Sequence, residues 1–246
     1  MAIVRASGLY RIYAVDGTPT PVLRDVSLAV EPGEFVAVMG PSGSGKSTLL
    51  HLLAGLDEPS AGTVELEGRD LGKLSENERT LLRRRTLGFI FQFFNLIPNL
   101  TVEENTALPW LLAGEEARAR AGELASLLES LGLAGKRRFL PHQLSGGEMQ
   151  RASIARALAG KPKLILADEP TGNLSSKAGE EVIALLRAAR DREGRAVLLV
   201  THNPRDAAVA DRVHFLQDGV LAPEPVLRGP GLRPEDVVAG LRALGI

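Results

Sequence analysis

Short apolar runs broken by turn residues open the chain. Val22-Leu23 and Val26 to Val30 precede Glu31-Pro32-Gly33, so the first 40 residues read as β structure. Glu34 to Met39 (Glu-Phe-Val-Ala-Val-Met) is a nearly continuous apolar run and reads as a buried strand; residues 48–54 read as a helix opening. Gly62 to Gly68 alternates apolar and polar positions between glycines, as a half-exposed strand does. Ser75-Glu76-Asn77-Glu78 has capping-box spacing and predicts a helix through Arg85; Gly88 to Phe91 is a short apolar strand. Residues 93 to about 159 change character: Thr101-Val102-Glu103-Glu104 starts another capped helix, and Leu124, Leu127, Leu128 and Leu131 recur at helical spacing. With no obvious strand, this segment reads as a helical insertion. Lys163 to Ala167 is then a buried strand ending at Asp168-Glu169, followed by a helix over about 176–192. Arg195 to Val200 is the next strand and ends at Thr201-His202; Val213 to Gln217 with Asp218-Gly219 reads as a hairpin. The Pro/Gly-rich tail from Ala222 leads to a short helix with Pro234 at its first position, whose Val237, Val238, Leu241 and Leu244 face this chain's own core.

Alternating β and α elements imply an α/β fold: a mostly parallel core sheet with helices on both faces, preceded by N-terminal β structure and interrupted by a helical insertion. The expected division is a single domain over 1–246, with a core formed by 1–92 and 160–221, a helical subdomain at 93–159 and a tail at 222–246. Composition adds exclusions. The 29 basic and 30 acidic residues leave a net charge of −1, so no global excess favours nucleic acid or an anionic membrane. Arg83-Arg84-Arg85 and Lys136-Arg137-Arg138 read as solvated surface. The absence of cysteine fits a reducing compartment and excludes disulfides and thiolate metal sites. The N-terminal residues lack a signal peptide's apolar core, and no run approaches the ~18 apolar residues of a membrane span. The expectation is a cytoplasmic chain; work at a membrane requires another polypeptide to cross it.

Residues 40–48 carry the densest chemistry. Gly40, Pro41, Ser42, Gly43, Ser44, Gly45, Lys46, Ser47 and Thr48 form a complete G-x-x-x-x-G-K-[ST] phosphate loop between a predicted strand and a predicted helix. Backbone N–H groups and the positive end of the helix dipole converge there on one anion. Lys46 is placed to reach β/γ-phosphates and Ser47 to bind Mg²⁺, which names ATP and Mg²⁺ as the expected ligands. ATP hydrolysis then needs a metal holder, a water activator and a γ-phosphate sensor. Asp168 ends an apolar strand, where a carboxylate can hold Mg²⁺ through water. Its neighbour Glu169 faces a different way and is the candidate base. His202, after another strand, is placed to meet the γ-phosphate and orient Glu169. Gln92, at the junction with the helical insertion, is a candidate for coupling the metal to that lobe. Leu144-Ser145-Gly146-Gly147-Glu148 precedes a helix carrying Gln150-Arg151 and offers a second anion site without a lysine, suited to capping a γ-phosphate held elsewhere.

The phosphate loop, Gln92, Leu144–Glu148, the Leu164–Glu169 strand and His202 occur in the order found in ATP-binding cassette (ABC) ATPases, which the chain resembles along nearly its whole length. The resemblance implies an α/β phosphate-loop NTPase fold of the ABC type, with a mostly parallel core sheet, an antiparallel N-terminal β part and a helical subdomain, and a head-to-tail dimer of two copies. Two ATP molecules lie between the copies, each held by one chain's phosphate loop and the other's Ser145, Gly146 and Gly147. It also implies that Tyr13 stacks on adenine, with Tyr10 a weaker candidate, and that an integral membrane permease is a partner while nucleic acid is not. The chain would then lie on the inner face of the cell membrane. Phe91 to Pro98, Glu104 to Pro109 and Asp168 to Leu174 look most like the lipoprotein-releasing and macrolide-exporter ATPases, with the related cell-division ATPase. Transport and regulation of cell-wall hydrolases both remain open on these residues. A soluble DNA-repair or translation ATPase is disfavoured: the chain has no long coiled-coil insertion, no second cassette and no basic excess. One departure stands out. Ser175 follows Asn173-Leu174 where the family usually has Asp; Ser caps about as well as Asp, so the following helix should still form, while a negative charge is missing from the loop that crosses the dimer interface. Met149, where Gln is frequent, reads as neutral variation.

Overall fold

In a computed structural model, which describes residues 1–224, 226–229 and 231–245, the chain begins with two long strands. Strands β1 (Val4–Val15) and β2 (Thr18–Val30) pair antiparallel, and β3 (Phe35–Met39) leads directly to helix α1 (Lys46–Leu53). Strands β4 (Ala61–Leu66) and β5 (Arg69–Asp70) return to β1 and complete a sheet of order β2-β1-β4-β5, all antiparallel. Helix α2 (Glu76–Thr86) runs into β6 (Leu87–Ile90). Three helices follow without an intervening strand: α3 (Val102–Leu112), α4 (Ala121–Ser130) and α5 (Gly146–Ala159). The chain then alternates β7 (Leu164–Asp168), α6 (Ser176–Glu193), β8 (Ala196–Thr201), the short α7 (Pro204–Ala207) and β9 (Arg212–Gln217). Strands β10 (Val220–Leu221) and β11 (Leu227–Arg228) and helix α8 (Pro234–Ala243) close it.

The core sheet has the order β10-β9-β3-β8-β7-β6, with β11 also on β9. Every pairing among β6, β7, β8, β3 and β9 is parallel; only β10 and β11 run antiparallel to β9. Strands β3, β7 and β8 are buried at every residue, as a sheet covered on both faces requires. Their side chains divide strictly by parity. Phe35, Ala37, Met39, Ile165, Ala167, Val197 and Leu199 join the cluster under α5, α6 and α8. Val36, Val38, Leu164, Leu166, Leu198 and Val200 join the cluster shared with α1 and the antiparallel sheet.

Local chemistry accounts for the helix starts. Ser75 and Thr101 each accept from the N–H three residues on, while Glu78 and Glu104 reach back to the cap N–H, as their spacing predicts. Helix α6 forms after Ser175 as expected, but without the cap: the Ser175 side chain makes no capping bond, and the first turn closes on the backbone bond from Gly179 N to Ser175 O at 2.9 Å. Helix α8 docks on its own chain, with Val237 fully buried and Gly240 against the Phe215 ring. Residues 225, 230 and 246 of the predicted tail lie outside the described residues. The basic runs are more engaged than solvated surface: Arg83 donates to the Gly55 carbonyl at 2.6 Å, and Lys136 and Arg137 pair with Glu148 and Glu103.

Candidate active site

The phosphate loop joins the end of β3 to α1 through two positions that admit only glycine. A Cβ on Gly40 would lie 2.0 Å from the Leu216 carbonyl oxygen. Gly45 adopts φ +102°, and a Cβ there would meet Leu23 at 2.8 Å and the Val22 oxygen at 2.9 Å. Gly45 is the N-cap of α1 and offers no side-chain cap, and the first turn holds no acidic residue. The opening N–H groups therefore stay available to an anion. Pro41, Ser42 and Gly43 form the exposed rim, whereas Ser44 is buried, with its carbonyl accepting from Gly219 N at 3.1 Å. The Lys46 side chain is 4% exposed, and its ammonium donates to the Gly40 and Pro41 carbonyls at 2.9 Å each. Ser47 follows on the exposed side and Thr48 is half-buried.

Strands β7 and β8 deliver the candidate acid–base groups beside that loop. Asp168 Oδ1 accepts from Ser47 Oγ at 3.0 Å. Burial pushes the Asp168 carboxyl above the usual carboxylate range; the Ser47 bond opposes that shift and the neighbouring Glu169 charge adds to it. Glu169 takes φ +40°, a left-handed conformation uncommon outside glycine, held in part by its N–H on the Val200 carbonyl at 3.0 Å. This turn aims the Glu169 carboxylate between Lys46 Nζ at 3.4 Å and His202 Nδ1 at 3.0 Å. The two carboxylates thus separate as predicted, one toward Ser47 and one toward His202.

Gln92 reaches the same place from the other side. Its carbonyl accepts from Asn173 Nδ2 at 3.0 Å, and its amide end lies 3.6 Å from where a Gly172 Cβ would stand. The following Phe94 and Asn95 carry φ +60° and +48°, and their carbonyls accept from Arg156 of α5 at 3.1 and 2.6 Å. Ser145 caps α5 in a full capping box with Glu148, and Gly146 and Gly147 lie against Leu174 and Ala178. Among the described residues, no hydrogen bond or ion pair joins Ser145, Gly146 or Gly147 to residues 40–48.

Tyr13 lies near the end of β1, and β2, which pairs with β1, passes beneath Gly45. Its hydroxyl donates to Asp57 Oδ2 at 2.6 Å, while the Arg11 guanidinium covers one ring face at 4.3 Å and pairs with Asp57 at 2.7 Å. Tyr10 is 39% exposed and makes no comparable side-chain contact among the described residues. Arg11, Asp57 and Arg156 went unread in the sequence: Asp57 and Arg156 act on segments 44 and 61 residues away, and Arg11 is held on Tyr13 by its pairing with that same distant Asp57.

Between the lobes lies a groove of about 810 Å³ lined by Phe89, Phe91, Leu108, Trp110 and Leu112, together with Arg84 and Arg120. Phe89 stacks on Phe91 at 4.3 Å, and the Trp110 indole donates to the Ala159 carbonyl at 2.9 Å. Among the described residues, no helix is long and apolar enough to cross a membrane.

A family model described as ABC transporter matches residues 23–172. The lipoprotein-releasing system ATP-binding protein LolD 2 of Caulobacter vibrioides is 48% identical over 219 residues, covering 89% of this chain and 96% of that protein. The macrolide export ATP-binding/permease protein MacB of Shigella flexneri is 43% identical over 238 residues, covering 97% of this chain but 36% of that larger protein. A solved dimeric structure, the ATP-binding cassette MJ0796 in a post-hydrolysis state with ADP and Pi, matches with a TM-score of 0.86 at 38% identity. That match covers 93% of this chain and 100% of that one.

Proposed function

Because the chain belongs to the ABC transporter family and is an ATP-binding ATPase of that type, we propose that two copies close head to tail around two ATP molecules and drive a membrane-spanning partner in export or lipoprotein release. The observation that carries the catalytic reading is the placement of Glu169, between Lys46 at 3.4 Å and His202 at 3.0 Å, beside the Ser47–Asp168 pair. The phosphates of ATP lie along the open start of α1, where Lys46 exchanges carbonyl partners for phosphate oxygens. Glu169 takes the proton of the attacking water; His202 orients Glu169 in the resting chain and turns to the γ-phosphate when ATP binds. Ser145, Gly146 and Gly147 of the second copy cover that phosphate, and Tyr13 offers the ring face opposite Arg11 to adenine.

The donor set fits Mg²⁺. Hard oxygens of Ser47 and Asp168 sit side by side. Among the described residues, no group of three or more His, Cys, Asp or Glu holds a metal without help. Ser47, Gln92 and, through water, Asp168 would hold the ion together with the phosphates. When bound, Mg²⁺ neutralises charge on the β- and γ-phosphates.

The groove between the lobes suits a short amphipathic helix from the membrane partner, with aromatic, aliphatic and basic side chains in its lining. The helical lobe, taken as residues 93–159, supplies one wall, and that partner places the chain on the inner membrane face.

Glu169→Gln tests the catalytic reading. ATP binding persists, phosphate release falls by about 100-fold or more, and ATP-dependent dimer accumulates in size-exclusion chromatography. Full turnover in this variant removes Glu169 from the role of base. Tagging the chain and identifying what co-purifies from mildly solubilised membranes tests the partner. A partner with few spans and a large extracytoplasmic domain supports export or lipoprotein release. A partner linked to cell-wall hydrolases, a many-span permease or soluble partners alone contradicts it.

A further inference from the structure

Beyond Asp168 and Val200, which form the last paired position of β7 and β8, one backbone bond remains between the two segments, Glu169 N to Val200 O at 3.0 Å. Past that point the loops carrying the catalytic groups are joined by two side-chain ties. One is the His202–Glu169 contact at 3.0 Å. The other lies deeper: Thr171 Oγ1 donates to the carboxylate of Asp206. Asp206 is 6% exposed, and burial pushes its carboxyl above the ordinary range while the Thr171 bond opposes that shift. A buried carboxylate that no part of the proposed chemistry uses calls for a role of its own.

Both ends of this tie are fixed. Thr171 stands in the turn closed by Gly172 N on the Glu169 carbonyl at 3.1 Å, and it packs on α6, where a Gly179 Cβ would lie 3.4 Å from the Thr171 Cβ. With one side against Gly179, its hydroxyl is directed at Asp206. Asp206 sits in α7, which Asn203 caps through the Arg205 N–H at 3.0 Å. The Asn203 N–H in turn bonds Thr201 Oγ1 at 3.0 Å. Asp206 is therefore attached rigidly to the residue after His202, and Thr171 rigidly to the turn of Glu169.

We propose that Asp206 is a positioning residue for hydrolysis, its carboxylate holding Thr171 so that the Glu169 turn and the His202 loop keep register when His202 releases Glu169 for the γ-phosphate. The His202–Glu169 contact is exposed on the histidine side and must be given up in the reaction cycle. Among the described residues, neither Asp206 nor Thr171 makes a hydrogen bond or ion pair to residues 40–48, so nucleotide binding leaves their contact in place. Without it, the Glu169 turn relaxes from its left-handed conformation and the carboxylate leaves the line of attack, where small displacements cost large factors in rate. This inference rests on the catalytic reading above.

The test compares Thr171→Val, Thr171→Ser, Asp206→Ala, the Thr171→Val/Asp206→Ala double variant and Glu169→Gln in the full chain. ATPase kcat per folded molecule, KM, ATP affinity and melting temperature are measured for each. Thr171→Val and Asp206→Ala should each lower kcat about tenfold with ATP affinity within about twofold, and the double variant should fall no further, as members of one contact do. Thr171→Ser, which keeps the hydroxyl, should recover most of the loss. A kcat in Thr171→Val within twofold of the parent overturns the proposal, as do multiplying losses in the double variant or an affinity that falls in step with kcat. Thr171→Val preserves shape and keeps the test decisive if Asp206→Ala fails to fold. Glu169→Gln separates the two levels: if it abolishes turnover while Thr171→Val matches the parent, only the positioning role fails; if it turns over normally, the catalytic reading fails.

Discussion

Helix α1 in the nucleotide-binding core and helix α5 in the helical lobe both begin at glycine-rich turns, and the two starts are finished in opposite ways. At α1, Gly45 supplies a left-handed N-cap, no side-chain cap and no acid, with the Lys46 ammonium held over the loop. At α5, Ser145 and Glu148 close a capping box: Glu148 N donates to Ser145 Oγ at 3.4 Å, and the Glu148 carboxylate accepts from Ser145 N at 2.8 Å. Lys136 lies 3.5 Å from that carboxylate. The first start is open and carries its own counter-charge, so it can bind an anion by itself. The second has satisfied part of its need internally, leaving the N–H groups of Gly146 and Gly147 for a ligand that something else must hold. The composite site proposed above needs this asymmetry. Two open starts would each collect nucleotide independently, and closure would add little differential affinity.

Substitutions at these starts break or sharpen the contrast. The largest effect belongs to Lys46→Ala, which removes the counter-charge of the open start. ATP affinity of the single chain should fall roughly 10- to 150-fold, given the ~1.5–3 kcal/mol of a charged hydrogen bond to phosphate, as titration with a fluorescent nucleotide would reveal; retained tight binding contradicts the contrast. Gly45→Ala comes next. A left-handed non-glycine residue costs about 1–2 kcal/mol, and the Cβ contacts at 2.8 and 2.9 Å add to it, so both melting temperature and ATP affinity should drop. Ser145→Ala should cost about 1 kcal/mol of stability through the lost cap. Single-chain ATP affinity should not change while turnover of the pair falls; an equal loss of both would show that the second start binds nucleotide unaided. Ser175→Asp should have the smallest effect on stability. An acid at the start of α6 gains about 0.3–1 kcal/mol from the helix dipole, leaves ATP affinity unchanged and alters the rate or cooperativity of hydrolysis. Unchanged kinetics would remove position 175 from communication between the two sites.

What could be read from the sequence follows from how far apart the cooperating residues lie. The phosphate loop is one contiguous stretch, and a strand ending in Asp168-Glu169 announces itself by an apolar run that stops at two charges. Such patterns carry their geometry locally, as do the capping boxes at Ser75, Thr101 and Ser145. The ties that set the angles of the site do not. Thr171 and Asp206 are 35 residues apart and Arg156 reaches carbonyls 61 and 62 residues away. None of these residue types in its own segment differs from ordinary helix or turn composition. Ser175 is the reverse lesson: a good capping residue at a helix start made no capping bond, because propensity states which side chain can cap and not whether the turn before it directs the hydroxyl inward.

The position of Trp110 has a practical consequence. It is the chain's single tryptophan, buried at the wall of the inter-lobe groove, with its indole fixed to α5 through Ala159 and the Arg120 guanidinium 5.5 Å from its ring. Every tryptophan photon the chain emits therefore originates at the surface where a permease helix is expected to seat. Intrinsic fluorescence becomes a site-specific optical gauge that needs no label, able to follow in real time whether nucleotide at one end of the molecule is felt at the other.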